Sequence, residues 1–200
     1  MGNLASIYKA FRYLGFEALI TDDVSAIKNA SKLILPGVGA FKHAMNCLDI
    51  KGISCAIKDF VKTGKPLLGI CLGLQLVFTE SYEEGVFSGL DLIKGRVKRF
   101  TGKDKSGSRL KVPHIGWNSV QWTEQAKKCF IVKGLPDRSW FYFVHSYYGA
   151  PEDQNSVVGI TEYGKTFASI VCKDNIYAAQ FHPEKSQCWG LKVLENFIKL

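Results

Sequence analysis

Hydrophobic and polar residues follow two different periods along the first half of the chain. Apolar side chains recur at helical spacing from Leu4 to Leu14, which predicts a first helix. Short apolar runs that predict strands come at Glu17–Thr21, Lys32–Leu35 and Leu67–Ile70. Further helices are predicted from Asp22 or Asp23 onward, at Phe41–Leu48, at Ile53–Lys62 and at Leu72–Phe78. Strands that alternate with helices in this way indicate a parallel sheet with helices on its faces.

The second half of the chain consists mainly of strand-like runs separated by turn residues. They lie at Gly95–Phe100, Trp117–Trp122, Trp140–His145, Val157–Glu162, Phe167–Cys172 and Ile176–Phe181. A last helix is predicted from Ser186 or Gln187 onward. We therefore predict an α/β fold with an open, mostly parallel twisted sheet flanked by helices, and an additional antiparallel section in the second half.

Composition limits what this chain can be. Its 200 residues are 46% hydrophobic and 22% charged, which predicts one globular domain over residues 1–200. The longest uncharged apolar stretch, Pro66–Thr79, is too short to cross a bilayer. The residues Met1–Leu4 do not begin a signal-peptide pattern. We expect no membrane partner.

The net charge of +8 is concentrated in one segment. Between Lys94 and Lys111 eight basic residues outnumber a single acid, so this segment carries seven of the eight net positive charges. Phe100 is the only aromatic residue in it, whereas nucleic-acid surfaces interleave basic and aromatic side chains. We therefore expect a solvated hairpin with a flexible loop at Gly102–Ser108, and no nucleic-acid partner. Docking to an acidic patch of a partner protein is the alternative.

The six cysteines show neither C-x-x-C pairs nor finger-like spacing with histidine. They are Cys47, Cys55, Cys71, Cys129, Cys172 and Cys188. This pattern predicts no metal site. A chain of this length with so many core residues does not need disulfides, so we expect a reducing, cytoplasmic location.

A turn that presents a nucleophile is predicted at Cys71. An apolar strand runs directly into a helix here, and Gly69 and Gly73 stand two residues on either side of the cysteine. This is the spacing of a nucleophile elbow, in which glycines without Cβ atoms let the strand and the helix come close. Free N–H groups at the start of the helix favour the reactive thiolate. A buried cysteine in an ordinary turn is the alternative.

His182 is the histidine best suited to serve such a thiol as a base. It follows a predicted strand, and Glu184 lies two residues further on, beyond Pro183. None of the other three histidines has a carboxylate at this spacing. A carboxylate placed there can orient the imidazole and stabilise its charged form, as the third member of a triad does. A surface turn is the alternative.

The segment Leu35–Phe41 ends a strand, opens a helix and contains two glycines. Free backbone N–H groups at such a junction bind anions, and the glycines permit a peptide flip that turns one of them inward. The segment therefore predicts an oxyanion hole. A dinucleotide site is not predicted, because Lys42 stands where the third glycine of that fingerprint belongs.

Together these motifs resemble the class I, triad-type glutamine amidotransferases. Within that family the likeness is to the glutaminase subunits of imidazole glycerol phosphate synthases. The motifs that carry it appear in family order over essentially the whole chain: Gly2–Leu4, Leu35–Phe41, Gly69–Gln75, Val112–Asn118, Tyr142–Tyr147 and Gln180–Ser186.

The resemblance implies roles for individual residues. Cys71 is expected to attack the glutamine side chain, His182 to act as general base and acid, and Glu184 to orient it. The residues expected to form the oxyanion hole are Gly37, Val38, Gly39 and Leu72. The residues expected to hold glutamine are Gly73, Gln75, Glu83, Ser146 and Tyr147. Those expected near the partner and the ammonia path are Asn3, Tyr142 and Lys185.

The resemblance also implies a partner and a reaction. Hydrolysis of L-glutamine to glutamate, without a cofactor, is expected to supply ammonia to a (β/α)8-barrel cyclase subunit in a heterodimer. The family has an apolar strand before the segment that matches Gly2–Leu4, so we expect the true start to lie upstream of Met1. The basic loop at 102–109 is also longer than is usual in relatives, in which it is often more acidic.

Two other functions stay open. The same glutaminase chemistry can supply ammonia to a sugar amidotransferase of surface polysaccharide synthesis, and nothing in the chain separates that pathway from the first. A non-catalytic scaffold that only holds its partner is the second alternative. The presence of Cys71, His182 and Glu184 together argues against a scaffold.

Overall fold

A computed structural model describes residues 4–104 and 106–200, and within them it contains six α-helices and eleven β-strands. The helices are α1 (Leu4–Tyr13), α2 (Val24–Asn29), α3 (Phe41–Ile50), α4 (Ile53–Lys62), α5 (Leu72–Leu76) and α6 (Gln187–Ile198). The strands of the first half are β1 (Leu33–Gly37), β2 (Leu67–Cys71), β3 (Phe78–Ser81), β4 (Phe87–Ser88) and β5 (Ile93–Arg99). Those of the second half are β6 (His114–Trp122), β7 (Ser139–His145), β8 (Tyr147–Pro151), β9 (Val157–Glu162), β10 (Thr166–Lys173) and β11 (Ile176–Ala179).

Seven strands form the main sheet, in the order β1–β2–β11–β10–β9–β6–β7. Strands β1, β2 and β11 pair in parallel, and each remaining neighbour pair is antiparallel. The predicted α/β class is confirmed, and the antiparallel section makes up more than half of this sheet. Strand β2, which lies between β1 and β11, brings Cys71 to the carboxyl edge of the parallel section, where ligands bind in open α/β sheets.

A second sheet of four strands, in the order β4–β3–β5–β8, lies beside the first. The sequence pattern did not predict β3, β4 or β8. The helical pattern assigned to Leu72–Phe78 ends at Leu76, and Phe78 already begins β3. Strand β8 begins two residues after β7 ends, so the sharp passage at Ser146 transfers the chain from one sheet to the other.

The main sheet is covered on both faces. Successive residues of β2 enter different cores, since Leu67 packs with α3 and α4 whereas Leu68 packs with α1 and α6. Both leucines are fully buried, as expected for an interior strand with helices on both faces of the sheet. The site at the end of β2 is therefore built on a rigid element. Among the described residues, no helix is long and apolar enough to cross a membrane.

The strand predicted at Glu17–Thr21 does not form. This segment has no regular structure, and the side chains of Leu19 and Ile20 are 79% and 53% exposed. A strand needs a neighbouring backbone to satisfy its N–H and C=O groups. In the described part of the chain β1 is the last strand at this end of the sheet and pairs only with β2. The apolar pattern alone was therefore not enough to make a strand.

The described residues of the basic segment form strand β5, which alternates buried and exposed side chains, and the loop that follows it. Lys94 and Arg96 on β5 pair with Asp91 and Glu80, which reduces the charge of this surface. Within the loop the carboxylate of Asp104 accepts hydrogen bonds from Ser106 and from the backbone, and these hold the pKa of Asp104 below its usual range.

Candidate active site

The turn between β2 and α5 holds Cys71 in a strained conformation. Its φ and ψ are 55° and −105°, values that a residue with a side chain rarely adopts. The following helix packs against β1 so closely that a Cβ on Gly73 would lie 1.8 Å from the carbonyl oxygen of Leu35. Only glycine fits there. The turn thus fixes the position of the Cys71 thiol at the start of a helix, as the sequence predicted.

His182 and Glu184 form a buried pair at the end of β11. Their Nδ1 and Oε1 atoms lie 2.8 Å apart, and both side chains are almost fully buried. Burial acts to lower the pKa of His182, but its electrostatic interactions with Cys71 and Glu184 outweigh this effect and raise the pKa to about 9. The Nε2 atom of His182 is buried without a hydrogen-bond partner among the described residues. It is therefore left available for proton transfer.

Backbone contacts fix this histidine to strand β7. The N–H of His182 donates to the carbonyl of Tyr142 at 2.9 Å, and the hydroxyl of Ser186 donates to the carbonyl of His182 at 2.6 Å. The same hydroxyl accepts the N–H of Tyr142 at 3.0 Å. Residues Pro183–Lys185 form a single 3-10 turn between these contacts. The position of the imidazole is thus set by an edge strand of the main sheet.

A cavity of about 320 Å³ joins most of the predicted site residues. Its lining includes Val38, Gly39, Cys71, Leu72, Gln75, Glu83, Ser146, Tyr147 and His182. Glu184 lies behind His182. Gly37 and Gly73 lie at the β1–α5 contact rather than in the cavity lining, because their missing side chains make room for Leu72 and for the carbonyl of Leu35. The volume suits a small polar molecule such as a free amino acid.

The segment between β1 and α3 forms one wall of this cavity. Gly39 has a φ of +98°, which favours glycine, and an added Cβ there would meet nothing within 4 Å. At the end of the segment the backbone N–H of Phe41 donates to Oε2 of Glu83 at 2.7 Å. A residue predicted to hold a ligand therefore also holds the first turn of α3.

Sequence reasoning missed Gln180 and His145. Gln180 is completely buried, with its Nε2 atom 3.9 Å from Sγ of Cys71 and its Oε1 atom 3.4 Å from Nε2 of Gln75. His145 lines the cavity. The sequence does contain a feature that indicates Gln180: it is a polar amide directly after a buried apolar strand, and such a group needs hydrogen-bond partners inside the protein.

The residues predicted near a partner lie on one exposed face, except Asn3, which is outside the described residues. Nζ of Lys185 lies 5.7 Å from the ring centroid of Tyr142. The rings of Trp117 and Tyr142 are T-shaped, with their centroids 6.2 Å apart. Ile115 and Trp140 are exposed on the same antiparallel pair of strands, β6 and β7. A groove of about 530 Å³ lies beside Trp117 and Trp140. We call Ile115, Trp117, Trp140, Tyr142 and Lys185 the aromatic face.

Within residues 4–104 and 106–200 no group of three or more His, Cys, Asp or Glu side chains is arranged to hold a metal ion.

A thiol at a strained elbow, a buried His–Glu pair and a glycine-containing wall around one small cavity define a cysteine amidotransferase type of site. The family model for class-I glutamine amidotransferases matches residues 2–200. The chain belongs to the class-I glutamine amidotransferase family and is an enzyme of that class.

Curated relatives make the likeness more specific. The "Imidazole glycerol phosphate synthase subunit HisH" of Syntrophotalea carbinolica is 50% identical over 198 residues, which are 98% of this chain and 95% of the relative. The protein of the same name from Chlorobaculum tepidum is 48% identical over 197 residues, which are 98% of this chain and 94% of the relative. The protein of the same name from Moorella thermoacetica is 48% identical over 200 residues, which are 100% of this chain and 91% of the relative.

Solved structures support the fold. A crystal structure of a glutamine amidotransferase matches 99% of this chain and 93% of its own, with a TM-score of 0.75 and 18% identity. The structure of PurLQS from Thermotoga maritima matches 98% of this chain and 91% of its own, with a TM-score of 0.70 and 17% identity. The arrangement of two sheets and their helices is thus shared well beyond the range of clear sequence similarity.

Proposed function

We propose that this chain is, as a single domain, the glutaminase subunit of an imidazole glycerol phosphate synthase in histidine biosynthesis. It hydrolyses L-glutamine to glutamate and passes ammonia to the synthase subunit. The observation that carries the proposal is the convergence of Cys71 with the buried His182–Glu184 pair at one cavity. The names of its relatives, at 48–50% identity, support the pathway.

The reaction proceeds in two halves. The Cys71 thiolate attacks the side-chain carbonyl carbon of glutamine, and the carbon–nitrogen bond breaks as His182 donates a proton to the leaving ammonia. This leaves a γ-glutamyl thioester on Cys71. His182 then takes a proton from water, the resulting hydroxide attacks the thioester carbon, and the carbon–sulfur bond breaks, so that glutamate leaves and the Cys71 thiolate and the protonated His182 are restored. One water is consumed, and one glutamate and one ammonia are formed.

Each half needs a place for the negative charge of the carbonyl oxygen. The backbone N–H of Leu72, at the start of α5, is one donor, and the segment Gly37–Gly39 supplies another. Glu83, Ser146 and Tyr147 hold the amino-acid end of glutamine. The pKa of His182 suits its role, because a value of about 9 keeps the ring protonated for the first proton transfer.

The partner is a (β/α)8-barrel cyclase subunit, and the two chains form a heterodimer that docks on the aromatic face. Exposed tryptophans are the side chains that most often anchor protein interfaces. Trp140 is 56% exposed, and its neighbour Tyr142 accepts the backbone N–H of His182. Docking on this face therefore places the partner next to the site of ammonia release. All six cysteines are unpaired, which fits a reducing cytoplasm.

Measured release of glutamate and ammonia tests the proposal. The chain is assayed alone and with a candidate synthase subunit and its nucleotide substrate. We expect glutamate release that requires Cys71 and increases with the partner. Cys71→Ala is the blank, and Cys47→Ala, at an exposed cysteine on α3, is the matched control. Full activity in Cys71→Ala would refute the chemistry, and stimulation only by a sugar amidotransferase would refute the pathway.

A further inference from the structure

Two buried histidines beside the cavity have no role in the chemistry above. Nδ1 of His114 lies 3.1 Å from Nε2 of His145, and both residues are less than one-tenth exposed. The ring of His114 is stacked between Phe143 and Tyr163. Aromatic packing alone does not require imidazoles here, because phenylalanine rings fill the same space without polar atoms. The polar atoms of both rings are therefore the feature to explain.

One end of this pair determines the tautomer of His145. Its Nδ1 atom lies 2.8 Å from the backbone carbonyl of Tyr147. A carbonyl only accepts hydrogen bonds, so Nδ1 carries the hydrogen. Burial lowers the pKa of His145 to about 3, so the ring is neutral and Nε2 has no hydrogen. That Nε2 atom must accept the hydrogen on Nδ1 of His114.

The other end is fixed by Asn118. Burial lowers the pKa of His114 to about 4, so this ring is neutral too. Because its hydrogen is on Nδ1, its Nε2 atom has none and can only accept a hydrogen bond. Nδ2 of Asn118 lies 3.3 Å from that atom and also donates to the carbonyl of Glu162 at 3.0 Å. Oδ1 of Asn118 accepts the N–H of Ser119 at 2.8 Å. Both ends of the amide are thus assigned, and each hydrogen points from Asn118 towards Tyr147.

The chain of hydrogen bonds ends at the cavity wall. The carbonyl of Tyr147 also accepts Nε2 of Gln75 at 2.9 Å. Gln75 and Tyr147 line the cavity, and Gln75 in turn contacts Gln180, the amide next to Cys71. The orientation of the Tyr147 carbonyl therefore bears on both the wall of the cavity and the surroundings of the thiol.

We propose that Asn118, His114 and His145 are positioning residues of the glutamine site. They form a neutral hydrogen-bond chain with a single direction, which fixes the carbonyl of Tyr147 and through it the amide of Gln75. This role rests on the proposed function, since it assigns glutamine to the cavity. The tautomers themselves do not depend on that assignment.

Nitrogen NMR of the histidine rings tests the direction of the chain without any activity. In the full chain labelled with ¹⁵N-histidine, two-bond ¹H–¹⁵N correlations at neutral pH distinguish a hydrogen on Nδ1 from one on Nε2. Single His43→Gln and His114→Gln variants assign the signals. We expect both His114 and His145 as neutral rings protonated at Nδ1. A hydrogen on Nε2 of either ring, or an imidazolium at either position, would overturn the proposal.

Kinetics with the synthase subunit present test the positioning role. Asn118→Asp keeps the size of the side chain but replaces the donor with an acceptor, so the direction of the chain can no longer hold. We expect the KM for glutamine to rise at least tenfold, with kcat changed less than threefold. Asn175→Asp is the matched control, because Asn175 also donates to two backbone carbonyls, those of Val61 and Lys65, away from the cavity. It should lose stability and keep its KM.

A second pair of variants covers the case in which Asn118→Asp does not fold. His114→Gln retains one donor and one acceptor, whereas His114→Phe retains only the aromatic packing. We expect the KM of His114→Gln to lie much closer to that of the parent than the KM of His114→Phe. Equal KM values for the two variants would overturn the proposal. Activity that survives Cys71→Ala would refute the proposed function instead, while leaving the tautomers standing.

Discussion

The carboxylate of Glu83 accepts the backbone N–H of Phe41 at 2.7 Å and so ties the loop after β3 to the first turn of α3. Helix α3 has no side-chain cap at Ala40, so this bond takes the place of one. It holds one end of the segment proposed to form the oxyanion hole, which is one wall of the cavity, while β1 holds the other end. The wall is therefore anchored at both ends, with Gly39 free between them.

Removal of this anchor should impair catalysis more than stability. Because an unanchored segment presents its N–H groups poorly, we expect Glu83→Ala to lower kcat/KM for glutamine at least tenfold. Glu83→Gln retains an oxygen that can accept the N–H of Phe41, and its kcat should fall less. Steady-state kinetics with the synthase subunit measure both variants. A Glu83→Ala enzyme with unchanged kcat/KM would show that the bond has no catalytic role.

Gly73→Ala should disrupt the elbow. The new Cβ would lie 1.8 Å from the carbonyl oxygen of Leu35, so either β1 or α5 must move. We expect a loss of about 2 kcal/mol or more in the free energy of unfolding, together with loss of activity. Gly64→Ala is the control for backbone strain alone, because Gly64 has a φ of +79° but an added Cβ there meets nothing within 4 Å, whereas Gly73 lies in α5 without a positive φ. It should cost only about 1 kcal/mol. Equal losses in urea unfolding would contradict the steric explanation.

Three buried histidines make the free energy of unfolding depend on pH, and two of them act in the opposite direction to the third. Burial lowers the pKa of His114 to about 4 and that of His145 to about 3. The stability that these two residues contribute is therefore present above about pH 6.5 and is lost as the pH falls. The pKa of His182 is raised to about 9, so its contribution is complete below about 6.5 and is lost as the pH rises through 9. Because two residues outweigh one, the free energy of unfolding should fall by about 2 kcal/mol between roughly pH 7.5 and pH 5.

Urea unfolding at those two pH values measures this dependence. His182→Asn removes only the contribution that strengthens towards acid, so it should make the acid loss larger. His43→Gln, at an exposed histidine on α3, is the control and should leave the loss unchanged. A parent chain that becomes more stable from pH 7.5 to pH 5 would contradict these assignments.

Trp140→Ala should weaken binding of the synthase subunit. A large exposed aromatic side chain at an interface is worth about 2 kcal/mol, which corresponds to a roughly 30-fold increase in Kd. Tyr13→Ala is the control, since Tyr13 is 79% exposed at the end of α1, outside the aromatic face. Calorimetric titration of the two subunits measures the affinity. Equal Kd values for the two variants would place the interface elsewhere.

Sequence reasoning located much of the fold because local pattern and tertiary contacts agree in most elements. Helix α4 and strand β9 begin and end at the predicted residues. The short strands β3 and β4 were missed, because a run of two to four residues carries too little periodicity to be recognised. The strand predicted at Glu17–Thr21 was wrong because this apolar run has no neighbouring strand to pair with, and Leu19 and Ile20 stay exposed.

The site was predictable where chemistry imposes a local motif. Cys71 between two glycines and His182 two residues before Glu184 are visible in one dimension. The roles of Gln180 and His145 were not, because they arise from contacts with residues up to 109 positions away in the sequence. Roles given to single residues by the resemblance, such as those of Ser146 and Lys185, stay predictions.

Covalent labelling by a glutamine analogue shows whether Cys71 is the nucleophile of a glutamine site. The chain and its synthase subunit are treated with 6-diazo-5-oxo-L-norleucine, with and without excess glutamine, and digested for peptide mass spectrometry. We expect one adduct, on Cys71, that glutamine prevents, although Cys71 is only 6% exposed and Cys47, Cys55 and Cys188 are exposed. Adducts on the exposed cysteines with Cys71 unmodified would contradict this expectation.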